Sequence, residues 1–237
     1  MALFFRHAAD PSANIPMLWA RLALILSGIL AYQFRNKRHL LPICLWTGIL
    51  MQLTMFIWYA GDPTIFLTEG LPLFHCRLAT ILIFIGYYAK WQKTTKFYAW
   101  LGLIGAIIAF SFPDPSPFRW PHVTNITYVL GHLALIMSCV ILIAKSSVTL
   151  STKDVLKFVL TMNIALSIVN IIIHNANYGY LRYLPDALPL PIHGIVLFSL
   201  VTILMTIAVR FVEYQYQAWK KKAAARTCAG QYSDNME

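Results

Sequence analysis

Seven long hydrophobic stretches, separated by short polar segments, are the feature that most restricts how this sequence can fold. Each has about 20 residues, the length that an α-helix needs to cross the ~30 Å hydrocarbon core of a bilayer. Over the whole chain, 59% of the residues are hydrophobic and only 12% are charged, whereas soluble domains carry about 25% charged residues. The sequence therefore predicts an all-α polytopic membrane protein. We place the stretches at 16–34, 41–60, 71–89, 97–112, 122–144, 154–174 and 192–212.

The basic residues are distributed unevenly among the segments that join these stretches. Of the nineteen Lys and Arg residues, fourteen follow the first, third, fifth or seventh stretch. The loops at 61–70, 113–121 and 175–191 hold none, one and one. Cytoplasmic loops are enriched in Lys and Arg, so we expect seven transmembrane helices with the N-terminus outside and the C-terminus in the cytoplasm. The fourteen residues are Arg35, Lys37, Arg38, Lys90, Lys93, Lys96, Lys145, Lys153, Lys157, Arg210, Lys220, Lys221, Lys222 and Arg226.

This orientation also accounts for the formal net charge of +10, which in a soluble protein would suggest nucleic-acid binding. We therefore expect contact with a lipid bilayer and with no nucleic acid. The sequence divides into an extracellular segment at 1–15, a seven-helix transmembrane domain at 16–212 and a basic cytoplasmic tail at 213–237. The predicted location is the cell membrane, which the chain crosses several times.

Histidines and carboxylates collect at the predicted extracellular ends of the stretches, and His132 lies further inside the fifth. Ionisable side chains at membrane depth are costly and indicate a functional site. A His at a helix end can instead lie in the headgroup layer and bind water, and for His122, His174 and His193 this alternative stays open. Burying an imidazole in mid-helix requires a partner, which favours a functional role for His132. The residues at the outer ends are His75, His122, His174, His193, Asp62, Glu69, Asp114 and Asp186.

Three chemically active side chains are consecutive near the start of the third stretch: His75, Cys76 and Arg77. A guanidinium beside a thiol favours the nucleophilic thiolate, and an imidazole can accept the thiol proton. Adjacent residues on a helix point about 100° apart, so these three side chains cannot all face one point. We therefore expect the base for Cys76 on another helix, with His132 as the best candidate.

The remaining cysteines give no indication of a disulfide framework or a structural zinc site. The chain has four cysteines, which are widely spaced and form no CxxC pair. Cys44 and Cys139 lie toward the inner ends of their stretches, where a free thiol packs as a small hydrophobic side chain. We expect packing for these two, and Cys228 falls in the predicted tail.

Two loops at the predicted outer surface contain further polar candidates. The segment 175–185 holds three tyrosines together with Asn, Gly and Arg. These residues could form an interfacial aromatic belt or a turn that closes the mouth of a cavity, and both interpretations stay open. The loop 113–121 contains four prolines, which would stiffen a second wall of that mouth. The candidates in these loops are Arg119, Asn177, Tyr178 and Arg182.

Five short motifs lie in order along the third to seventh stretches. They are Leu71-Pro72-Leu73-Phe74-His75-Cys76, Pro113-Asp114, Pro121-His122, Gly131-His132 and Asn177-Tyr178-Gly179-Tyr180-Leu181. Together they resemble the bacterial YwaF-type integral membrane family. That family is similar to animal transmembrane protein 164, an intramembrane acyltransferase that acts on glycerophospholipids through a cysteine and a histidine. The resemblance implies that Cys76 is the nucleophile and His132 the base.

The distribution of basic residues places Cys76 toward the extracellular side of the membrane, and we expect the acyl transfer there. The thiolate of Cys76 would take an acyl group from a membrane phospholipid and pass it to a lysophospholipid or another hydroxyl, and no cofactor is expected. Bacterial relatives place a His two residues before the Cys, where this chain has Phe74, so the role of His75 stays open. Arginines could hold the lipid phosphate, because a guanidinium pairs with it bidentately. The substrate-binding candidates are His75, Arg77, Arg119, His122, Asn177, Tyr178 and Arg182.

Two other classes of function compete with acyl transfer. The first is a metal-dependent lipid hydrolase, since the chain has enough nitrogen and oxygen donors for zinc, although no HExxH spacing supports it. The second is a transporter or receptor without enzymatic activity, in which Cys76 would be replaceable. The candidate metal donors are His75, Asp114, His122, His132, His174 and His193.

Overall fold

The computed structural model describes residues 4–10, 15–184 and 190–234, and these ranges contain helices and loops but no strand. Asp186, one of the predicted outer-loop carboxylates, lies outside the described residues. A short helical segment, Pro63–Gly70, precedes the third long helix at a bend of 70°. The long helices are α1 (Met17–Gln33), α2 (Leu40–Ala60), α3 (His75–Tyr88), α4 (Gln92–Ser111), α5 (Val123–Lys145), α6 (Thr152–Ile172) and α7 (Gly194–Asp234).

Each predicted hydrophobic stretch coincides with one of these helices. Five of them, α2, α4, α5, α6 and α7, are long and apolar enough to cross a membrane. The bent pair of Pro63–Gly70 and α3 passes the same test as one unit, and α1 is a shorter apolar helix. The described part of the chain therefore has five candidate membrane spans, or six when the bent pair is included, as in a multi-pass membrane protein.

Helix α5 lies at the centre of the bundle and packs against α1, α2 and α4, with a smaller contact to α3. Its buried residues include small ones such as Gly131, Ala134 and Ser138, which let neighbouring backbones approach closely, as in membrane helix bundles. Large apolar side chains point outward instead, for example Trp19 on α1 and Ile195 on α7. Apolar side chains on the outer surface suit a lipid environment.

Consecutive helices run in opposite directions, so the bundle has two ends of different chemistry. The first turn of α3 and the C-terminus of α4 lie at one end, which we call the Cys76 end. The C-terminus of α3 and the N-terminus of α4 lie at the other, which we call the Lys96 end.

A buried ion pair joins α4 to α7 at the Lys96 end. Lys96 Nζ donates to Glu213 Oε1 at 2.8 Å and to the carbonyl oxygen of Val148 at 2.5 Å. The second carboxylate oxygen of Glu213 accepts from Trp100 Nε1 at 2.7 Å. Each side chain of the pair is about 1% exposed. The tail boundary that we drew at residue 213 therefore falls inside α7, and Lys96, assigned to a loop from the sequence, belongs to α4.

The N-terminal residues 4–10 fold over the Cys76 end. The backbone N–H of Val123 donates to Phe4 O at 3.1 Å, and Trp58 Nε1 donates to Phe5 O at 3.3 Å. Asp10 forms an ion pair with Arg6 and accepts from the backbone N–H of Arg119 at 2.6 Å. That N–H lowers the pKa of the Asp10 carboxyl, and the Arg6 guanidinium lowers it further. The segment thus connects the ends of α2 and α5.

Candidate functional site

Cys76 is the second residue of α3, directly after the bend that follows Pro63–Gly70. Its side chain faces Gly105 on α4, where an added Cβ atom would lie only 2.8 Å from Cys76 Sγ. The first N–H groups of a helix have no intrahelical acceptor, and the N-cap residue Phe74 provides no side-chain cap. The thiol therefore lies beside backbone donors that can stabilise a negative charge.

Three helices meet at one level just below this thiol. A Cβ atom on Gly102 of α4 would lie 3.3 Å from Ala79 Cβ on α3 and 2.9 Å from Leu135 Cδ1 on α5. These residues define a layer in which α3 and α5 both approach the same glycine of α4. The close approach requires glycine at position 102, since a side chain there would displace its neighbours.

Each residue of this layer has a counterpart three positions nearer to the Cys76 end of the bundle. The counterparts are Cys76 for Ala79, Gly105 for Gly102 and His132 for Leu135. Three residues are close to one helical turn, so the thiol and the imidazole lie at about the same depth, about one turn from the point where α3 and α5 meet α4. The ring of His132 packs against Phe110 of α4, with centroids 5.5 Å apart. In the part of the chain that the structure describes, no hydrogen bond joins Cys76 to His132.

The imidazole of His132 is held in one tautomer by its own helix. His132 Nδ1 lies 2.7 Å from the carbonyl oxygen of Tyr128. A carbonyl oxygen can only accept, so Nδ1 carries the proton and Nε2 keeps a free lone pair. Tyr128 OH donates in turn to Ala109 O on α4 at 2.5 Å. When the ring is neutral, this arrangement leaves Nε2 as the nitrogen that can accept a proton.

His75 points into a different part of the bundle. Its Nε2 lies 3.5 Å from Asn163 Oδ1 on α6, and Asn163 Nδ2 donates to Thr202 Oγ1 on α7 at 3.0 Å. The Asn163 side chain is fully buried. Sequence reasoning missed this polar chain, although an amide in the middle of an apolar stretch was a signal for it. This row of hydrogen-bonded side chains positions His75 and links α3 to α6 and α7.

Arg77 is bound to the short segment that precedes α3. Its Nη1 donates to Glu69 O at 2.8 Å, and its guanidinium carbon lies 5.4 Å from the ring centroids of Tyr59 and of Phe74. Tyr59 OH donates to Glu69 Oε2 at 3.3 Å. Arg77 therefore places a cation one residue from Cys76 and stabilises the bend at the same time.

The loop after α6 folds as a turn that Asn170 holds in place. Asn170 Nδ2 donates to Tyr178 O at 2.9 Å, and Tyr178 N donates to Asn170 Oδ1 at 2.7 Å. Tyr178 OH donates to Leu67 O at 2.8 Å, and burial raises the pKa of this tyrosine to about 12. Asn177 Oδ1 accepts from Arg182 N at 3.1 Å. Asn177 and Tyr178 thus organise the loop with their polar atoms.

Tyr180 connects this loop to the proline-rich loop across the Cys76 end. Its hydroxyl donates to Asp114 Oδ2 at 3.0 Å. Burial raises the pKa of Tyr180, and both the Asp114 carboxylate and the nearby Cys76 raise it further. The ring centroid of Tyr180 lies 5.6 Å from that of Phe74. These contacts place Tyr180 over the first turn of α3.

A comparison with protein families identifies the group to which the sequence is related. The model of the TMEM164 family matches residues 6–217, which is most of the chain. This protein belongs to the TMEM164 family. Searches of curated proteins and of solved structures found no match. The expected relation to animal transmembrane protein 164 is thereby confirmed, and the range covers Cys76, His132 and all of the substrate-binding candidates.

Both ring nitrogens of His122 form hydrogen bonds, and this residue lies within the region that matches the TMEM164 family. The backbone N–H of Thr124 donates to Nδ1 at 3.3 Å, so Nε2 carries the proton and donates to Arg6 O at 3.0 Å. The ring is fully buried and stacks on Phe118 with centroids 4.0 Å apart. Burial lowers the pKa of His122. Its contacts cap α5 and hold the N-terminal segment.

The other predicted residues of the Cys76 end are spread over its surface. Arg119 is exposed and contributes its backbone N–H to Asp10. Arg182 is exposed as well, and its Nη1 donates to Asn170 O at 3.3 Å. His174 and His193 are exposed. Within residues 4–10, 15–184 and 190–234, no group of three His, Cys, Asp or Glu side chains could hold a metal ion.

Proposed function

We propose that this member of the TMEM164 family is an intramembrane acyltransferase that acts on glycerophospholipids, with Cys76 as nucleophile and His132 as base. One observation carries the proposal. The thiol in the uncapped first turn of α3 and the imidazole of His132, whose Nδ1 donates to the carbonyl oxygen of Tyr128, lie at about the same depth beside α4. A nucleophile, a base and backbone donors are the parts that acyl transfer needs.

In the first half of the reaction, the Cys76 thiol gives its proton to His132 Nε2 and the sulfur attacks an ester carbonyl of a phospholipid. The carbon–sulfur bond forms and the ester carbon–oxygen bond breaks. His132 returns the proton to the leaving glycerol oxygen, which gives a lysophospholipid and a thioester on Cys76. Catalytic hydrogen bonds are often long before substrate binds, so the two side chains need to approach only in the complex.

In the second half, the hydroxyl of a lysophospholipid attacks the thioester. His132 Nε2 accepts the hydroxyl proton, the new ester bond forms and the Cys76 sulfur leaves as a thiolate that takes the proton back. In each half a tetrahedral oxyanion forms beside the first turn of α3. The backbone N–H groups there stabilise it, because the residue Phe74 at the N-cap leaves them without a side-chain acceptor.

The headgroup phosphate of the donor lipid binds at Arg77 in this proposal. Arg77 is the next residue after Cys76, and its Nη1 donates to the carbonyl oxygen of Glu69. A guanidinium has five N–H donors, so the remaining ones can bind phosphate oxygens. Arg119 and Arg182 are exposed at the same end of the bundle and attract the anionic headgroup.

The proposal includes seven membrane crossings, with the Cys76 end outside the cell and the Lys96 end in the cytoplasm. The seven apolar helices and the fourteen basic residues near the Lys96 end support this orientation. Cys76 then lies a few ångströms below the outer headgroups, which is close to the depth of a phospholipid ester. A labelling reagent that cannot cross membranes, applied to cysteines placed singly in the loops, tests the orientation.

The intact mass of the purified protein after incubation with phosphatidylcholine tests the reaction. We expect one acyl group on the wild-type chain, on Cys76, and none on Cys76→Ala. The matched control is Cys44→Ala, which removes a buried cysteine whose Sγ lies 4.0 Å from Met137 Sδ, and this variant should still be acylated. Full acyl transfer by Cys76→Ala would overturn the proposal. Loss of activity with a chelator but not with a thiol alkylator would indicate a metal-dependent hydrolase instead.

A further inference from the structure

A cavity of about 190 Å³ opens at the Lys96 end, between the C-terminus of α3, the N-terminus of α4 and the C-terminus of α5. This volume is many times the space that one water molecule needs. The cavity lies at the opposite end of the bundle from Cys76, so the proposed acyl transfer does not use it. Its polar lining residues are Lys90, Gln92, Thr95, Lys96, Lys145, Ser146 and Ser147.

The charges around this cavity leave a net positive field. Lys96 is neutralised by Glu213 at 2.8 Å, and the other nearby carboxylate, Asp154, is paired with Lys93 at 3.0 Å. Among the residues that the structure describes, the ammonium groups of Lys90 and Lys145 form no ion pair. Two cations without counter-charges at the rim of one cavity favour an anion inside it.

A third cation lies next to the same rim. Lys220 Nζ, on α7, donates to the carbonyl oxygen of Ser146 at 3.2 Å. Ser146 and the next residue, Ser147, both line the cavity. Ammonium and hydroxyl donors together are the groups that bind phosphate oxygens in proteins.

The backbone of Lys90 gives independent support. Its φ angle is 61°, in the left-handed region where glycine is the usual residue. Lys90 N donates to Tyr87 O at 3.3 Å and Trp91 N donates to Gly86 O at 2.8 Å, which is the hydrogen-bond pattern of a Schellman helix end. Glycine at position 90 would make the same turn without strain. The lysine therefore goes against the preference of the backbone at this position, and such strained positions cluster at ligand clamps.

We infer that this cavity is a binding site for a phosphate group, held by the ammonium groups of Lys90 and Lys145 and by the hydroxyls of Ser146 and Ser147. The ligand is either the headgroup of an anionic lipid, such as a phosphate monoester lipid, or a soluble phosphate ester. Both have the same chemistry at the site. The inference is independent of acyl transfer, because it concerns other residues at the other end of the bundle.

The test uses the purified full chain and has a soluble arm and a lipid arm. Inorganic phosphate and glycerol phosphate are titrated into protein in neutral detergent, and thermal unfolding is followed, because a ligand that binds only the folded state raises the Tm. In the lipid arm, the chain is placed in phosphatidylcholine vesicles with and without phosphatidic acid. A Tm increase with the soluble phosphates identifies a soluble ligand, and an increase with phosphatidic acid alone identifies a lipid headgroup.

Two variants and a control give the decisive comparison. Lys90→Gly should bind the phosphate probe about fivefold more weakly and have an equal or higher Tm without ligand, since it removes the backbone strain. Lys145→Gln should weaken binding to a similar extent. Lys157→Gln, which removes an exposed lysine of α6 at the same end but outside the cavity lining, should bind as the wild type does. The inference is overturned if no probe raises the Tm, or if both cavity variants bind like the wild type.

Discussion

Gly105 on α4 leaves room for the sulfur atom of Cys76 and for nothing larger. A Cβ atom at position 105 would lie 2.8 Å from Cys76 Sγ, which is closer than such atoms approach in folded proteins. The glycine therefore fixes the position of the thiol in the first turn of α3. It does so from another helix, 29 residues further along the chain.

We predict that Gly105→Ala displaces the Cys76 thiol and slows its chemistry. A misplacement of about 1 Å can lower a rate by roughly 100-fold. The measurement is the rate of alkylation of Cys76 by a small maleimide, together with the rate of acylation. Gly28→Ala is the matched control, because a Cβ atom there meets only Ile136 Cδ1 at 3.9 Å. It should raise stability by about 0.5–1 kcal/mol and leave both rates unchanged. Equal rates for Gly105→Ala and the wild type would contradict the assignment.

The two histidines near Cys76 should differ in their effect on acyl transfer. His132→Gln removes the free lone pair of Nε2, and loss of a general base lowers a rate by about 100-fold or more. His75→Gln retains an amide that can reach Asn163, to which His75 is bound, so we expect a much smaller loss. Steady-state rates of both variants with phosphatidylcholine as donor decide between the two residues. A larger loss for His75→Gln would transfer the role of base to His75.

The N-terminal segment should loosen when the pH falls. Burial lowers the pKa of His122 below its ordinary value of 6.5, so the released state binds a proton before the folded state does. The stabilisation is therefore present above about pH 6.5 and is lost as the pH falls through and below that value. Protonation of Nδ1 would also oppose the N–H of Thr124 that donates to it. The protection of the backbone amides of residues 4–10, which is their slowing of hydrogen exchange relative to an unfolded chain at the same pH, should fall at about pH 5.5.

Two variants show whether His122 is the responsible group. His122→Gln should abolish the pH dependence of amide protection in residues 4–10. His7→Gln removes the neighbouring histidine, which stacks on Trp58 with centroids 4.7 Å apart, and should leave the pH dependence in place. A pH dependence that survives in His122→Gln and disappears in His7→Gln would show that the assignment is wrong.

The ion pair of Lys96 and Glu213 should be costly to break and easy to replace. Removing one partner leaves a buried charge without its counter-charge, so Lys96→Met or Glu213→Leu alone should destabilise the fold by about 3–5 kcal/mol. The double variant leaves no buried charge and should regain most of that loss. Unfolding in a denaturing detergent series measures all three. Additive losses in the double variant would mean that the two side chains do not stabilise each other.

The helices could be predicted from hydropathy because a membrane helix needs a long apolar stretch of its own. All seven predicted stretches coincide with helices of the structure. The boundaries were less accurate where a charged residue is buried. The fourth helix begins at Gln92 and α7 continues past residue 212, since Lys96 and Glu213 neutralise each other inside the bundle. A pairing across 117 residues leaves no trace in local hydropathy.

The sequence by itself determined the membrane class of this protein, the seven apolar helices and the choice of Cys76 and His132 as candidates, because these depend on residue type and local spacing. Only the tertiary structure decided which polar residues share a site. It placed Gly105 against the thiol, turned His75 toward Asn163 and used His122 as a cap. The physical reason is that a side chain's role depends on the helix that faces it, and helix neighbours are set by packing between residues far apart in the chain.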